Sequence, residues 1–505
     1  MKRMKRSSVV AMTLFSAVVL SRPLAAQSKA KQDHPHQYHH YQLIDVGTFG
    51  GPQSFLGNND SNAATVVNQQ GTLAGFADTP MPDPFPSFCF GDCYVEHAFQ
   101  WRKGVRTYLG VLADGVSSAA DGGISDRGLI AGHAENGEVD PLIPGFPEIR
   151  AVLWENGVIR DLGTLSGGYE SYSAAVNNQG QVVGVSENTI PDANSMFLPG
   201  YQSRAFLWDK QRGMRDLGTL SGGTDAMGAL INEAGQVVGW SYTSSAQSLN
   251  CPFPLTTGSF IWDKKHGMTD LGSLGGTCTL AQDLNNRDQV VGSGYLAGDQ
   301  VSHPFVWDRA SGLTDLGKSG GSYSGASAIN QNGEVVGGMS LPSDLQIDAI
   351  LWRKTRGKWQ STDLGTIEGS GCTWGLSINA SGQVVGDDCS GNGAFAFLWE
   401  EGGSMVDLNT LVLFASGIHI NGVITINDRG EIAVSALDAN GNSHAVMLIP
   451  CDENHTGIES CDYNLVDASA APQGPAPYVP RTERPPQSRR TNRPHLRDLG
   501  ASQQN

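Results

Sequence analysis

Short apolar runs separated by turn residues recur along most of this chain, and they predict β-strands. In one stretch the runs are DAMGALIN, GQVVGWS, SFIW and MTDLG, with Gly, Asn and Asp between them. Runs of this length that are rich in Val, Ile, Phe and Trp are typical of strands, and Asn followed by Gly closes tight turns. We label the four strands of this pattern A to D in chain order. No segment except the N-terminal one has a sustained helical period.

Three phrases return in a fixed order, and each occurs eight times. The phrase RDLGTLSGG occurs at residues 160–168 and 215–223, and looser copies begin at Asp45, Tyr108, Asp270, Asp315, Asp363 and Asp407. The second phrase resembles INxxGQVVG, with copies at Asn68, Asp126, Asn177, Asn232, Asn285, Asn330, Asn379 and Asn427. The third resembles AFLW and ends at Trp101, Trp154, Trp208, Trp262, Trp307, Trp352 and Trp399, with a last copy at His444 that lacks Trp. Four strands in each repeat of this length are typical of the blade of a β-propeller.

The repeats predict an all-β fold, a β-propeller of eight four-stranded blades over residues 41–450. Seven blades are the alternative if the degenerate last copy does not form a blade. The first strand, YQLIDVG at residues 41–47, is a D strand, and the last, HAVMLIP at residues 444–450, is a C strand. We predict that the two pair, because this closes the ring and removes two free edges.

The TLSGG runs have two interpretations. The paired glycines let the chain pass from the outer strand of one blade to the inner strand of the next, because glycine has no Cβ to clash. The alternative is a loop that cradles a ligand, but the runs lack the Lys-Ser/Thr of a phosphate-binding loop.

The two ends of the chain differ from the repeats. The basic MKRMKR, the apolar SSVVAMTLFSAVVL and the small residues up to Ala26 have the pattern of a secretory signal, with a membrane anchor as the alternative. We predict a signal peptide at 1–26, a flexible flank at 27–40 and a tail at 451–505. The tail is expected to be tied by a disulfide and then disordered, since Pro and Arg dominate it. We therefore predict that the mature protein is secreted or periplasmic and has no transmembrane segment.

The net charge excludes one class of partner, and the cysteine content predicts cross-links within the chain. Lys and Arg number 33 against 50 Asp and Glu, a net charge of −17. An acidic surface repels phosphate backbones, so nucleic acid is excluded as a partner. An even number of cysteines in an exported chain predicts disulfides, with metal binding as the alternative. The loop layout gives the pairs Cys89–Cys93, Cys251–Cys278, Cys372–Cys389 and Cys451–Cys461.

A candidate ligand face follows from the loops between strands B and C. These loops are long in the first four blades and short in the last four, and long loops on a rigid scaffold commonly bind ligands. Exposed aromatic faces suit sugar rings or extended peptides. A lid of loops packed on one another is the alternative. The candidate residues are Phe85, Phe88, Tyr94, Phe146, Phe197, Tyr201, Trp240 and Phe253.

No residue set predicts catalysis, so we assign no catalytic, cofactor-binding or metal-binding residue. The runs DANGN at 438–442 and DCSGNG at 388–393 offer oxygen ligands for a structural calcium ion, but they lack the full spacing of a calcium loop. The alternative explanation for both runs is that their Asp, Asn and Gly residues form tight turns. The run HPHQYHH at 34–40 either binds a transition metal or belongs to the flexible flank.

The phrase HAF at residues 97–99, the AFLW copies and the DLGTLSGG runs resemble the HAF-repeat family of extracellular bacterial proteins. The resemblance covers residues 43–450 and implies export and repeats, without an activity or catalytic residues. The sequence therefore predicts a secreted, monomeric binding or interaction scaffold for a glycan, a peptide or an envelope polymer, with no cofactor. The alternatives are a propeller enzyme that acts on extracellular polysaccharide and a structural protein of the cell envelope.

Overall fold

The computed structural model describes residues 36–57, 65–85, 93–197, 200–248, 251–317, 321–367, 370–389, 395–412 and 417–467. The predicted signal peptide and the Pro/Arg-rich end of the tail lie outside these ranges. Strands dominate the described residues, and no helix among them is long and apolar enough to cross a bilayer.

The first half of the described chain contains two N-terminal strands and four sets of four strands. The N-terminal strands are β1 (Gln37–His39) and β2 (Tyr41–Asp45). The first and second sets are β3 (Ser54–Phe55), β4 (Thr72–Pro82), β5 (Tyr94–Arg102), β6 (Val105–Tyr108), β7 (Ser118–Ala119), β8 (Ile130–Val139), β9 (Pro147–Glu155) and β10 (Val158–Asp161). The third and fourth sets are β11 (Ser171–Val176), β12 (Val182–Asp192), β13 (Gly200–Asp209), β14 (Gly213–Asp216), β15 (Ala226–Ile231), β16 (Val237–Gln247), β17 (Leu255–Asp263) and β18 (Gly267–Asp270).

The second half repeats the arrangement and ends with a lone strand. The fifth and sixth sets are β19 (Gly275–Leu284), β20 (Val290–Leu296), β21 (Ser302–Asp308), β22 (Gly312–Asp315), β23 (Ser324–Ile329), β24 (Val335–Ser340), β25 (Ile347–Thr355) and β26 (Lys358–Gly365). The remaining elements are β27 (Thr373–Ile378), β28 (Val384–Asp388), β29 (Ala396–Trp399), β30 (Val406–Asp407), α1 (Leu408–Leu411), β31 (His419–Ile426), β32 (Ile432–Leu437), β33 (Ser443–Pro450) and β34 (Leu465–Asp467).

Each set is an antiparallel sheet in the order A-B-C-D, so the predicted β-propeller architecture is confirmed. The fourth and fifth sets are joined into one sheet by a parallel pairing of Thr257 with Cys278. The last set consists of β31, β32, β33 and the N-terminal β2, with Tyr41 opposite Pro450 and Asp45 opposite Val446. The N-terminal strand β2 (Tyr41–Asp45) therefore closes the ring, as the sequence predicts.

Side chains between neighbouring blades form the core. One buried cluster joins Leu153 of the second blade to Phe206 and Trp208 of the third. Phe residues at the equivalent C-strand position are fully buried in five blades, namely Phe99, Phe206, Phe260, Phe305 and Phe397. The AFLW phrase recurs because each blade fills the same space against its neighbour.

The glycine pairs of the TLSGG runs lie where backbone approaches backbone. A Cβ at Gly223 would lie 1.9 Å from the carbonyl oxygen of Tyr242, and one at Gly168 would lie 2.1 Å from that of Glu187. The preceding Gly222 has a φ of 89°, a conformation that residues with a Cβ rarely adopt. These contacts support the packing interpretation of the repeated phrase.

The asparagines that open the A–B turns link the blades into a ring. The Oδ1 of Asn232 accepts N–H groups of its own turn, as the sequence predicts. Its Nδ2 also donates across the blade boundary, to the carbonyl oxygen of Asn285 at 3.2 Å. Seven such cross-blade bonds exist in the described residues. The bond from Asn427 to the carbonyl oxygen of Asn68, at 3.0 Å, joins the last blade to the first.

The residues that flank the ring are ordered further than the sequence suggests. In the flank at 27–40, which we expected to be flexible, Gln37–His39 pair with Leu465–Asp467. Tyr38 is buried, and its hydroxyl donates to the carbonyl oxygen of Ser404 at 2.6 Å. The predicted Cys451–Cys461 disulfide ties the chain just after the last blade strand. The two ends of the described chain thus form a second, smaller sheet.

Candidate functional site

Four long hairpins rise from one half of the ring. The B strands of the first four blades have 11, 10, 11 and 11 residues. Those of the last four have 7, 6, 5 and 6 residues. We call the protruding part of the four hairpins the hairpin crown, made of described residues 78–85, 93–96, 135–149, 187–197, 200–203, 242–248 and 251–257. The predicted asymmetry of the B–C loops is therefore a property of the fold.

Five of the candidate aromatic residues lie on the hairpin crown and are partly exposed to solvent. They are Phe85, Tyr94, Phe146, Phe197 and Tyr201. Phe88 lies outside the described residues.

The predicted ligand face is wrong for Trp240 and Phe253, which are 5% and 7% exposed. Both belong to a core cluster with Tyr242 and Met196, and the indole Nε1 of Trp240 donates to the carbonyl oxygen of Ala281. The Tyr242 hydroxyl donates to the carbonyl oxygen of Asn194 on the third hairpin at 2.6 Å. Trp240 and Phe253 are buried because the fourth blade packs against the fifth, and Tyr242 is buried because the third and fourth hairpins pack on each other.

Apolar side chains at three hairpins are exposed, and the sequence analysis missed them. Met81, Val139 and Ile190 are 51%, 50% and 53% exposed, one on each of the first three hairpins. Their spacing from the repeat phrases is similar in the three blades, and this regularity was the available signal. Together with the partly exposed aromatic rings, they give the hairpin crown an apolar surface on an acidic protein.

Buried carboxyl groups lie beneath the second and third hairpins. Asp140, Glu170 and Glu187 are nearly inaccessible to solvent. One oxygen of each carboxyl accepts a backbone N–H, as from Ile149 to Glu170 at 3.1 Å. The other oxygen of each has no hydrogen-bond partner among the residues that the structure describes. The neighbouring cation is Arg150, which binds Glu148 at 2.6 Å.

Burial changes the protonation of these groups. Burial and, after it, the nearby charge of Asp140 together raise the pKa of Glu187 to about 7. Burial likewise raises the pKa of Glu170 well above its usual range. The pKa of Glu135 rises to about 7 because of burial and the charge of Asp83. Glu135, Glu170 and Glu187 therefore hold protons near neutral pH, yet these carboxyls are too buried to touch a ligand on the surface.

Disulfides fasten loops on the same face as the hairpin crown. Cys251 of the fourth hairpin is bonded to Cys278, which follows the D–A loop into the fifth blade. Cys372, which follows the D–A loop into the seventh blade, is bonded to Cys389 in the B–C loop of that same blade. These two predicted pairs are confirmed. Cys93 is disulfide-bonded, while its predicted partner Cys89 lies outside the described residues.

The candidate metal ligands have other partners. Within the part of the chain that the structure describes, no three His, Cys, Asp or Glu side chains are placed to hold a metal ion. The Asp438 carboxylate accepts the backbone N–H groups of Asn440 and Asn442, which is turn chemistry. His36 binds Glu400 at 2.9 Å, whereas His40 lies 3.9 Å from Asp462. His34 and residues 390–393 lie outside the described residues.

Comparisons with known proteins support no family assignment. No family model and no curated protein matches the sequence. Similar solved structures include the acylaminoacyl peptidase of Pyrococcus horikoshii, with 10% identity and a TM-score of 0.38 over 71% of this chain and 52% of that one. A putative TolB from Agrobacterium tumefaciens has 14% identity and a TM-score of 0.30, covering 49% of this chain and 83% of that one. The β-propeller domain of the Trilobed protease from Pyrococcus furiosus has 11% identity and a TM-score of 0.38, covering 67% and 94%. This chain spans about half the length of the first of these proteins.

Proposed function

We propose that this protein is an exported binding scaffold whose ligand face is the hairpin crown. The observation that carries the proposal is the position of four long hairpins on one half of the ring. Packing does not require them, because the last four blades complete the same ring with short B strands. Apolar and aromatic side chains displayed on such a rigid frame are typical of a binding surface.

The surface chemistry fits a ligand with apolar faces and polar edges. Phe146 and Tyr201 offer aromatic rings, and Met81, Val139 and Ile190 add exposed apolar area. Sugar rings of a glycan or envelope polymer pack on such surfaces through their C–H faces, and an extended peptide does so through alternate side chains. A monomer is sufficient for this role.

The rival functions have less support. An enzyme that cleaves polysaccharide needs a pair of carboxyls that reach the glycosidic bond. Glu170 and Glu187, whose pKa values are the most suitable, are buried beneath the hairpins. A structural envelope protein that stacks through its faces would favour even faces, whereas here only half of one face is raised.

Export is part of the proposal. Three disulfides among the described residues fit an oxidising compartment. The signal-like segment at 1–26 and the resemblance to the HAF-repeat family point the same way. The proposal places the mature chain in the periplasm or outside the cell.

A binding screen tests this function. We expect the mature chain to bind a member of a panel of glycans, cell-wall polymers and peptides. The triple variant Met81→Ser, Val139→Ser, Ile190→Ser should weaken that affinity at least about tenfold, because each loses exposed apolar contact area. Biolayer interferometry against the immobilised panel measures the change.

The matched control carries the same chemistry elsewhere. Val105 and Val158 are 64% and 66% exposed, and they begin the outer strands of the first two blades, away from the hairpin crown. The variant Val105→Ser, Val158→Ser should bind like the parent chain. Equal affinity of all three proteins, or no binding to any member of the panel, would show that the hairpins are a packed lid.

A further inference from the structure

A groove lies between the second and third blades, at the end of the ring opposite to the hairpin crown. Its volume is about 270 Å³. The A–B turns and the C–D turns of the two blades surround it, and Leu129, Leu153 and Trp208 provide apolar surface. Arg127, Arg160 and Lys210 also line it. Leu129 is partly exposed, whereas Leu153 and Trp208 are 4% and 6% exposed and form the floor of the groove. A concave site with a small apolar floor and several polar and charged groups around it has the general form of a small-molecule site.

The charges of the groove do not cancel. Lys210 of the third blade lies 3.6 Å from the carboxylate of Glu155 on the second blade, so these two neutralise each other. The guanidinium groups of Arg127 and Arg160 make no ion pair or hydrogen bond with any residue that the structure describes. Two positive charges therefore remain available in a chain whose net charge is −17.

The next groove around the ring shows that the repeat does not impose this charge. There Arg215 occupies the position equivalent to Arg160, and it binds Asp209 at 2.9 Å. Asp209 is the equivalent of Glu155. Gln179 replaces Arg127 at the A–B turn. The usual arrangement thus neutralises the arginine within its own blade.

In the groove between the fourth and fifth blades, the positions equivalent to Glu155, Arg160 and Lys210 carry no net charge. Asp263 binds Arg309 of the following blade at 2.6 Å, which repeats the pairing of Glu155 with Lys210. Thr269 stands at the position of Arg160. The groove between the second and third blades differs by its unpaired guanidinium groups from the two grooves that follow it around the ring.

We propose that this groove binds a small ring that carries a carboxylate, of the hexuronate class. Guanidinium groups bind carboxylates through paired N–H donors, and Arg127 and Arg160 have theirs free. The small apolar floor of the groove, where Leu129 is the most exposed of the three apolar side chains, lies under one face of the ring, and the amides of Asn156 and Asn178 lie in reach of its hydroxyls. The volume suits a single ring, either as a free sugar acid or as the end residue of an acidic polymer. The site is independent of the function proposed for the hairpin crown.

Isothermal titration calorimetry with D-glucuronate tests the proposal, with D-glucose and acetate as probes that lack either the charge or the ring. We expect the full mature chain to bind glucuronate at least about tenfold tighter than either probe, since only glucuronate uses both parts of the groove. An oligoglucuronate that binds tighter than the monomer would identify a polymer end as the source, and equal affinity would identify the free sugar acid.

Variants locate the binding. Arg160→Gln and Arg127→Gln should each lower glucuronate affinity at least about tenfold, because a charge-assisted pair of hydrogen bonds is lost. Arg160→Lys keeps the charge without the paired donors and should give an intermediate affinity. Arg215→Gln, in the neighbouring groove, should bind glucuronate like the parent chain. Thermal unfolding of each variant shows whether the fold is intact.

The proposal fails if glucuronate binds no tighter than glucose up to about 10 mM, a concentration that detects even a weak single-ring site. It also fails if Arg160→Gln and Arg127→Gln bind glucuronate like the parent chain, or if Arg215→Gln weakens binding as much as they do. A loss of hairpin-crown binding with unchanged glucuronate binding affects only the function proposed for the crown.

Discussion

A chain that begins at residue 47 is expected to lose most of its stability, because its last blade has no outer strand. The deletion removes β1 with the buried Tyr38 and β2 with the buried Tyr41, and both side chains pack in the cluster around the seventh and eighth blades. Removing one large buried side chain commonly costs about 2–5 kcal/mol. Folded proteins are stable by only about 5–15 kcal/mol, so the loss of both side chains and of the strand pairing consumes much of that margin. Thermal unfolding followed by circular dichroism measures the effect.

The control is a chain that begins at residue 36 and keeps both N-terminal strands. It should unfold at the temperature of the mature chain. The shorter chain also exposes the edge of β33, and free edges pair with other chains, so light scattering should detect dimers or larger species. A chain from residue 47 that stays monomeric and unfolds at the temperature of the control would contradict the closure role of β2.

Replacing Glu187 with Gln is expected to stabilise the protein above neutral pH. The folded state holds a proton on Glu187 with a pKa of about 7, against an ordinary value of 4.5. The folded chain therefore binds this proton more tightly than the unfolded chain, and stability falls as pH rises from about 4.5 to about 7. Gln resembles the protonated carboxyl, so the free energy of unfolding at pH 8 should rise by about 2–3 kcal/mol. At pH 5 the gain should be much smaller. Urea unfolding at the two pH values gives both numbers.

An exposed acid on a neighbouring hairpin provides the comparison. Glu138 lies at the surface of the second hairpin, so Glu138→Gln should leave the free energy of unfolding unchanged at both pH values. A gain of the same size for Glu187→Gln at pH 5 and pH 8 would show that the effect is not protonation. A loss at pH 8 would show that the ionised carboxyl has a partner and stabilises the fold.

The features that the sequence predicts are local or repeated. The N-x-x-G turns, the Trp that ends seven of the eight C strands and the glycine pairs each solve a packing problem within one blade or at one boundary, and their repetition along the chain makes the pattern visible. The closure by Tyr41–Asp45 follows from the strand count. Two disulfides of the loop face, Cys251–Cys278 and Cys372–Cys389, follow from the order of the loops.

The features that it does not predict depend on contacts between blades. Trp240 ends the predicted strand GQVVGWS just before a long loop, and only the packing of the fourth blade against the fifth buries it. Glu170 and Glu187 are two acids among 50 acidic residues, and nothing local marks them as buried. The pairing of Gln37–His39 with Leu465–Asp467 joins positions more than 400 residues apart, which no sequence pattern indicates.

The cross-blade bonds from asparagine side chains do not join every pair of neighbouring blades. Seven blade boundaries are bridged by an Nδ2 group, but the second blade has Ser125 at that position, and a hydroxyl is too short to replace the amide arm. The boundary between the second and third blades therefore lacks the side-chain bond that joins the other neighbouring blades. The backbone N–H of Arg127 still donates to Asn178 Oδ1 across this boundary at 2.9 Å. Local opening of a segment is easier where one of its bonds is missing, so amide hydrogen exchange should be faster in the A–B turn at residues 125–128 than in the other A–B turns.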